Sequence, residues 1–264
     1  MIMSGIVTLI TDFGTMDPYA GIMKGMVLSA NPDARIVDIT HGIPARDIVN
    51  AAFTVARAYE YFPAGTVHVT VVDPEVGEKR KSIAVLTPEH IFVGPDNGVF
   101  AMVLQREKPL DIREITNPPF IAERISNTFH GRDVFAPCAG HLSAGRLFTD
   151  VGPEFRLIRY LKYSKVVQNG NILTGEVASV DSFGNMITNI SEHIFQSFVG
   201  RRRFEVSFAT ERFDTIVRHY SDVPQGKPLL LFGSSGHMEI SMNAGSAEEY
   251  FMTSTGSVVT VRRY

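Results

Sequence analysis

Strand-like and helix-like patterns alternate through the first half of the chain. Ile6-Val7-Thr8-Leu9-Ile10-Thr11 is a β-branched run that stops at Asp12-Phe13-Gly14-Thr15. From Pro18 to about Ala30 the apolar residues Tyr19, Ile22, Met23, Met26 and Val27 recur at helical spacing. Residues 35–39 predict a second strand, and Asp47 predicts the N-cap of a helix that runs to about Tyr61 before Phe62-Pro63-Ala64-Gly65 breaks it. Residues 66–72 predict a third strand ending at Asp73-Pro74. Strands near 82–86 and 90–93 follow, then Gly94-Pro95-Asp96-Asn97-Gly98 and a helix to about Gln105. Strands that are apolar almost throughout are expected where helices cover both faces of a mostly parallel sheet.

The pattern changes after about Tyr160. Residues 161–170 are polar and basic, and short β-rich segments at 173–180, 186–190, 204–208, 229–232, 238–240 and 258–261 then dominate. Helical periodicity is scarce there and glycine punctuation frequent. The expected architecture is therefore an N-terminal α/β domain with a mostly parallel sheet over 1–160, a linker over 161–170, and a smaller C-terminal all-β barrel domain over 171–264.

Composition narrows the function classes. With 44% hydrophobic and 20% charged residues over 264 positions, the chain can bury a sizeable core. A formal net charge of -3 and the lack of any long basic run argue against a nucleic-acid or anionic-membrane partner. Arg201-Arg202-Arg203 reads as a solvated turn. The one cysteine, Cys138, sits in a small, apolar segment and reads as a buried, inert thiol suited to a reducing compartment. The N-terminal residues carry no charged leader or long apolar run, so a cytoplasmic location is expected.

Ligands of open α/β sheets bind beyond the carboxyl ends of the strands. Asp12 and Asp73 fall at two such ends. Arg80 follows Asp73 by seven residues, so a loop that folds back lets the guanidinium pair with the carboxylate and fix it. In Asn127-Thr128-Phe129-His130-Gly131-Arg132-Asp133 an aromatic, a histidine and a glycine open an apolar segment, as in a constrained turn. Further on, Asp181-Ser182-Phe183-Gly184-Asn185 joins two strands and offers an acid, an aromatic and an amide together. Gly233-Ser234-Ser235-Gly236 and Met242-Asn243-Ala244 are similar polar interruptions. His41, His68, His90, His141, His193, His219 and His237 show no paired ligand spacing, and zinc, EF-hand, Walker, dinucleotide and Gly-x-Ser-x-Gly motifs are missing from the sequence. No metal is expected.

Five segments, in order, resemble the S-adenosylmethionine hydroxide adenosyltransferases, the family related to the fluorinase and chlorinase. They are Ile10-Thr11-Asp12-Phe13-Gly14, Val72-Asp73-Pro74-Glu75-Val76-Gly77, Gly94-Pro95-Asp96-Asn97-Gly98, Thr128-Phe129-His130-Gly131-Arg132-Asp133 and Asp181-Ser182-Phe183-Gly184-Asn185. The resemblance spans nearly the whole chain. It implies a homotrimer whose sites lie between the N-terminal domain of one subunit and the C-terminal domain of its neighbour. It also implies hydrolysis of S-adenosylmethionine, as substrate and with no cofactor, to adenosine and methionine.

Carried over by position, the hydrolytic Asp–Arg–His set falls on Asp73, Arg80 and His130. The resemblance further implies that Asp12 holds the ribose hydroxyls, Asp181 the methionine ammonium and Ser234 its carboxylate. Phe183 and Asn185 would hold the adenosine part, and the backbone at Asn243-Ala244 would read the adenine edge. Halogenating relatives carry a tyrosine where this chain has Asp73, although Gly131 matches the chlorinase halide position. Glu75 stands where relatives commonly have glycine, and Ser235 where the fluorinase has arginine. Three other readings remain: a chlorinase-like halide adenosyltransferase, a metal-dependent phosphatase or nucleotidase using Asp12, Asp17 and Asp73, and a silent S-adenosylmethionine- or adenosine-binding protein.

Overall fold

Strand, helix and turn patterns of this kind close into two units in the computed structural model, which describes residues 2–77, 79–156, 158–159, 161 and 165–264. The first unit ends at residue 162 and the second begins at residue 163. In the first unit a six-stranded sheet is built from β1 (Ile6–Thr11), β2 (Arg35–Thr40), β3 (Thr66–Val71), β4 (Ser82–Leu86), β5 (His90–Pro95) and β6 (Asp111–Glu114), in the order β2-β1-β3-β5-β4-β6. Its helices are α1 (Tyr19–Ala30), α2 (Ile48–Ala58), the short α3 (Val103–Arg106) and α4 (Ala136–Ser143). The pairs β2-β1, β1-β3 and β3-β5 are parallel, while β4 runs antiparallel to β5 and to β6.

Alternate residues of each strand enter opposite cores. Val7, Leu9, Val67, Val69, Ile91 and Val93 pack with Met23 and Val27 of α1 and with α4. Ile10, Ile83, Val85 and Phe92 pack on the other face with Ala51 and Val55 of α2. This two-sided burial explains why β3 and β5 are buried at every position, including the polar Thr66, His68, Thr70 and His90. Asp47 caps α2 as expected, its carboxylate accepting from the Asn50 N–H at 2.9 Å. The helix expected after Gly98 is reduced to turns and the single turn of α3. Asn97 spends its side chain on the Val72 carbonyl and the Val99 N–H instead, at 2.8 and 3.2 Å.

The second unit is an eight-stranded antiparallel, barrel-like sheet. Its strands are β7 (Val167–Asn169), β8 (Ile172–Val180), β9 (Met186–Ser191), β10 (Phe204–Phe208), β11 (Glu211–Phe213), β12 (Pro228–Phe232), β13 (His237–Met242) and β14 (Val258–Arg263). The order is β11-β10-β14-β8-β9-β13-β12, with β7 added beside β8. A register shift between Val177 and Ser179 lets β8 pair with β14 along one part and with β9 along the other. Two features depart from the all-β expectation: α5 (Glu192–Val199), capped by the Ser191 hydroxyl, and α6 (Ala247–Phe251). In addition, β7 falls within the stretch expected to be a linker.

Cys138 is fully buried on α4, and burial pushes its thiol pKa far above the ordinary value. Arg201, Arg202 and Arg203 lie exposed at a turn. Among the described residues no helix is long and apolar enough to cross a membrane.

Candidate active site

Because β1 and β3 are parallel neighbours with Thr11 opposite Val71, the residues that follow them, Asp12 and Asp73, reach the same rim of the sheet. That rim borders a cleft of about 530 Å³ lined by Asp12, Arg46, Asp73, His130 and the aromatics Phe13, Tyr19 and Phe129 among others. Its size lies within the usual range for small-molecule sites.

The loop after β3 does fold back. Arg80 Nε donates to Asp73 Oδ1 at 2.9 Å and Arg80 Nη2 to Asp73 Oδ2 at 2.5 Å, a two-pronged ion pair. The Arg80 side chain is only 1% exposed and that of Asp73 5%. Arg80 Nη1 donates to the Ser82 hydroxyl at 2.8 Å, and the guanidinium lies 5.4 Å from the centre of the Phe135 ring. Each of the three guanidinium nitrogens thus donates at least one hydrogen bond. Gly77, with φ of +80°, lets this loop press against the Asn127 carbonyl, where a Cβ would collide.

His130 enters from the other side. It precedes a π-helical turn, Gly131–Phe135, that leads into α4. Arg80 Nη2 also donates to His130 Nδ1, at 2.6 Å. Since arginine only donates, Nδ1 is the acceptor and the proton of the neutral ring sits on Nε2. Burial and then the Arg80 charge hold the His130 pKa below its ordinary value, against the opposing pull of Asp73 and Asp133. Asp133 anchors the turn by accepting from the Ser126 N–H at 2.7 Å and from Arg132.

Phe13, Tyr19 and Phe129 meet edge to face, with ring centres 5.2 to 5.8 Å apart, and form the apolar wall. Arg46, Tyr19 and Phe13 were not identified as site residues from the sequence. Their apolar or charged character matches ordinary helix and loop positions, and only the fold brings them to the rim. Asp17 does not line the cleft, and among the described residues no three His, Cys, Asp or Glu side chains are grouped to hold a metal ion.

The remaining sequence-predicted residues lie in the second unit. Asp181 closes its own turn: Oδ1 accepts from the N–H groups of Phe183 and Asn185, both at 2.9 Å, and Oδ2 from Asn185 Nδ2 at 2.9 Å. Phe183 is not packed in the turn but 77% exposed. The Glu248 N–H donates to the Gly184 carbonyl at 3.0 Å, joining this turn to the segment that carries Asn243 and Ala244. Ala244 has φ of +57°, and the Asn243 amide donates to the Val223 carbonyl at 2.7 Å. Ser234 is exposed on the turn between β12 and β13.

An acid, a guanidinium and an imidazole locked together at the head of a parallel sheet, in an α/β unit followed by a barrel, define a small-molecule enzyme. The chain belongs to the S-adenosylmethionine (SAM) hydroxide adenosyltransferase family: its N-terminal domain matches residues 7–152 and its C-terminal domain residues 175–260. An (R)-S-adenosyl-L-methionine hydrolase of Thermus thermophilus is 34% identical over 253 residues, covering 92% of this chain and 94% of that protein. A fluorinase of an Actinoplanes species is 24% identical, over 98% and 97% of the two chains. The crystal structure of an uncharacterized conserved protein from Thermotoga maritima superposes with a TM-score of 0.90 at 35% identity, covering 97% of this chain and 100% of that one.

Proposed function

We propose that this enzyme hydrolyses S-adenosyl-L-methionine to adenosine and L-methionine, and that it acts on the (R) epimer at sulfur that its hydrolase relatives are named for. The observation that carries the reading is the Asp73–Arg80–His130 set at the cleft, with its ion pair buried and His130 half-buried. A halide nucleophile is repelled by a carboxylate; a water molecule is oriented by one.

In this reading a water oxygen attacks the ribose C5′ in line with the sulfonium. The C5′–O bond forms as the C5′–S bond breaks, and its electrons pass to sulfur to give neutral methionine. The difficult partner is the water, whose pKa in bulk is about 15.7. Arg80 occupies Nδ1 of His130, which leaves Nε2–H as a donor to the water oxygen. The proton of the attacking water therefore goes to Asp73, the acceptor of the set, whose carboxylate Arg80 holds in place. Asp12 would bind the ribose hydroxyls. Asp181 would bind the ammonium, Ser234 the carboxylate, and Phe183, Asn185 and the Asn243-Ala244 backbone the adenosine. We further propose a cytoplasmic homotrimer in which these two residue sets meet across subunits, with no cofactor or metal.

The test is to incubate the purified protein separately with the (R) and (S) epimers in ¹⁸O-labelled water, with and without chloride or chelator. Adenosine labelled at O5′, formed from the (R) epimer and insensitive to chelator, is the expected outcome. A 5′-chloro product, or activity restored only by magnesium or manganese, overturns the reading.

A further inference from the structure

Arg46, in the loop between β2 and α2, has the left-handed backbone conformation that residues with a Cβ avoid, with φ of +67°. In the first unit it is the one non-glycine residue with positive φ among those described. Its surroundings fix it there. The Ile48 N–H donates to the Arg46 carbonyl at 3.0 Å, the Asp47 N–H to the Pro44 carbonyl at 3.0 Å, and the Ile43 N–H ties the loop to the Thr11 carbonyl at 3.3 Å. Held in this way, the Arg46 N–H points at the cleft and donates to Asp12 Oδ2 at 2.9 Å. Strain kept at a cleft by over-determined neighbours is the usual mark of a backbone group put to use.

We infer that Arg46 is a positioning residue for a vicinal diol, acting through Asp12. An ionised carboxylate offers about four acceptor positions, and one main-chain donor on Oδ2 restrains its rotation while leaving the others open. Two neighbouring hydroxyls, as on the ribose of a nucleoside, can then donate to a carboxylate already biased toward them. The property that matters is the left-handed N–H and not the guanidinium. The inference rests on the nucleoside reading given above and adds to it the device that selects ribose over its deoxy analogues.

The experiment compares wild type, Arg46→Gly and Arg46→Val by calorimetric binding of adenosine and of 2′,3′-dideoxyadenosine. Glycine adopts positive φ freely and keeps the N–H in place; valine, branched at Cβ, drives the backbone out of that region. Arg46→Gly should preserve the adenosine preference within about twofold. Arg46→Val should lose about tenfold of it, the scale of one hydrogen bond to a charged acceptor. For SAM turnover, KM should rise in Arg46→Val far more than kcat falls. Arg46→Ala, with less steric conflict, should fall between the two. Preference retained in Arg46→Val, or lost in Arg46→Gly, overturns the inference. If wild type binds neither nucleoside, the nucleoside reading itself fails and this one with it.

Discussion

The candidate site side chains of the first unit and those of the second are held in opposite ways. Asp73, Arg80 and His130 are locked to one another, with the Arg80 and Asp73 side chains only 1% and 5% exposed. Their geometry is set before any ligand arrives. In the second unit Asp181 is engaged with its own turn, Phe183 is 77% exposed, and Ser234 and Ala244 stand on exposed turns. In the function proposed above, the difference matches two tasks. Proton transfer needs groups fixed to within a fraction of an ångström and shielded from water, and burial supplies both. Recognition of an amino acid and a base needs open donors and acceptors, which turns between strands provide.

The sharpest way to break the comparison is Asp73→Asn, which keeps the shape and removes the proposed proton acceptor. Turnover should fall about 10³-fold, within the usual range for a general base. Because Arg80 is left as a buried cation without its counter-charge, stability should also fall, by about 3 kcal/mol in denaturant unfolding. Loss of turnover without loss of stability would mean that water reaches the Arg80 cation in solution.

Next in size is a pH effect confined to the first unit. His68 is buried between the Thr8 hydroxyl at 2.8 Å and His90 at 3.4 Å, and it stacks on Phe92. Burial, reinforced by His90, pushes its pKa down to about 3 from 6.5. The native ring thus stays neutral where the unfolded one takes a proton. Stability is full above pH 6.5 and is lost as pH falls toward 3. Hydrogen exchange should accelerate across that window in β3 and β5 before β8 and β9, and His68→Gln should flatten the trend. Equal acceleration in both units would remove the distinction. By the same sign, the depressed His130 pKa places the acid limb of turnover below pH 6.5.

Asp181→Asn sharpens the contrast from the other side. The amide oxygen can still accept from the Phe183 and Asn185 N–H groups and only the bond from Asn185 Nδ2 is lost, so stability should fall by no more than about 1 kcal/mol. Loss of the charge should raise KM for SAM about tenfold while kcat changes by less than about threefold, as expected for removal of a binding contact that is uniform along the reaction. A fall in kcat alone would assign Asp181 to the chemical step.

The smallest effect is expected at Glu75. Its carboxylate pairs with Arg159 Nη1 at 2.6 Å, both side chains being more than 40% exposed. Glu75→Gly should change stability by less than about 1 kcal/mol and turnover by less than about twofold. A larger loss would show that this tether steers the Asp73 loop.

Much of the fold was legible because its strands are buried on both faces. A run such as Thr66 to Val71 has one stable environment, and its period and β-branched content say which. What escaped was marginal in the same terms. β6 and β11 are short and half-polar, β7 lies in an exposed polar stretch, and α5 depends on a serine cap and three buried apolar residues rather than a long periodic pattern. Where a helix was expected after Gly98, Asn97 bonds the Val72 carbonyl just beyond β3, a long-range contact that no local propensity reports.

The sequence by itself determined an α/β layer followed by β-rich segments, and it put Asp12 and Asp73 at strand ends with Arg80 seven residues beyond Asp73. Strand ends and a seven-residue spacing are local facts; that the loop folds back and buries the pair is a tertiary one. Only the tertiary structure decided that His130 meets the same guanidinium from 50 residues away, and so which ring nitrogen keeps its proton. It alone also revealed that Arg46 is strained onto Asp12 and that three aromatics from separate segments share one wall. These facts depend on how distant elements pack, and a chain read residue by residue does not contain the angles at which its helices and loops return to the sheet.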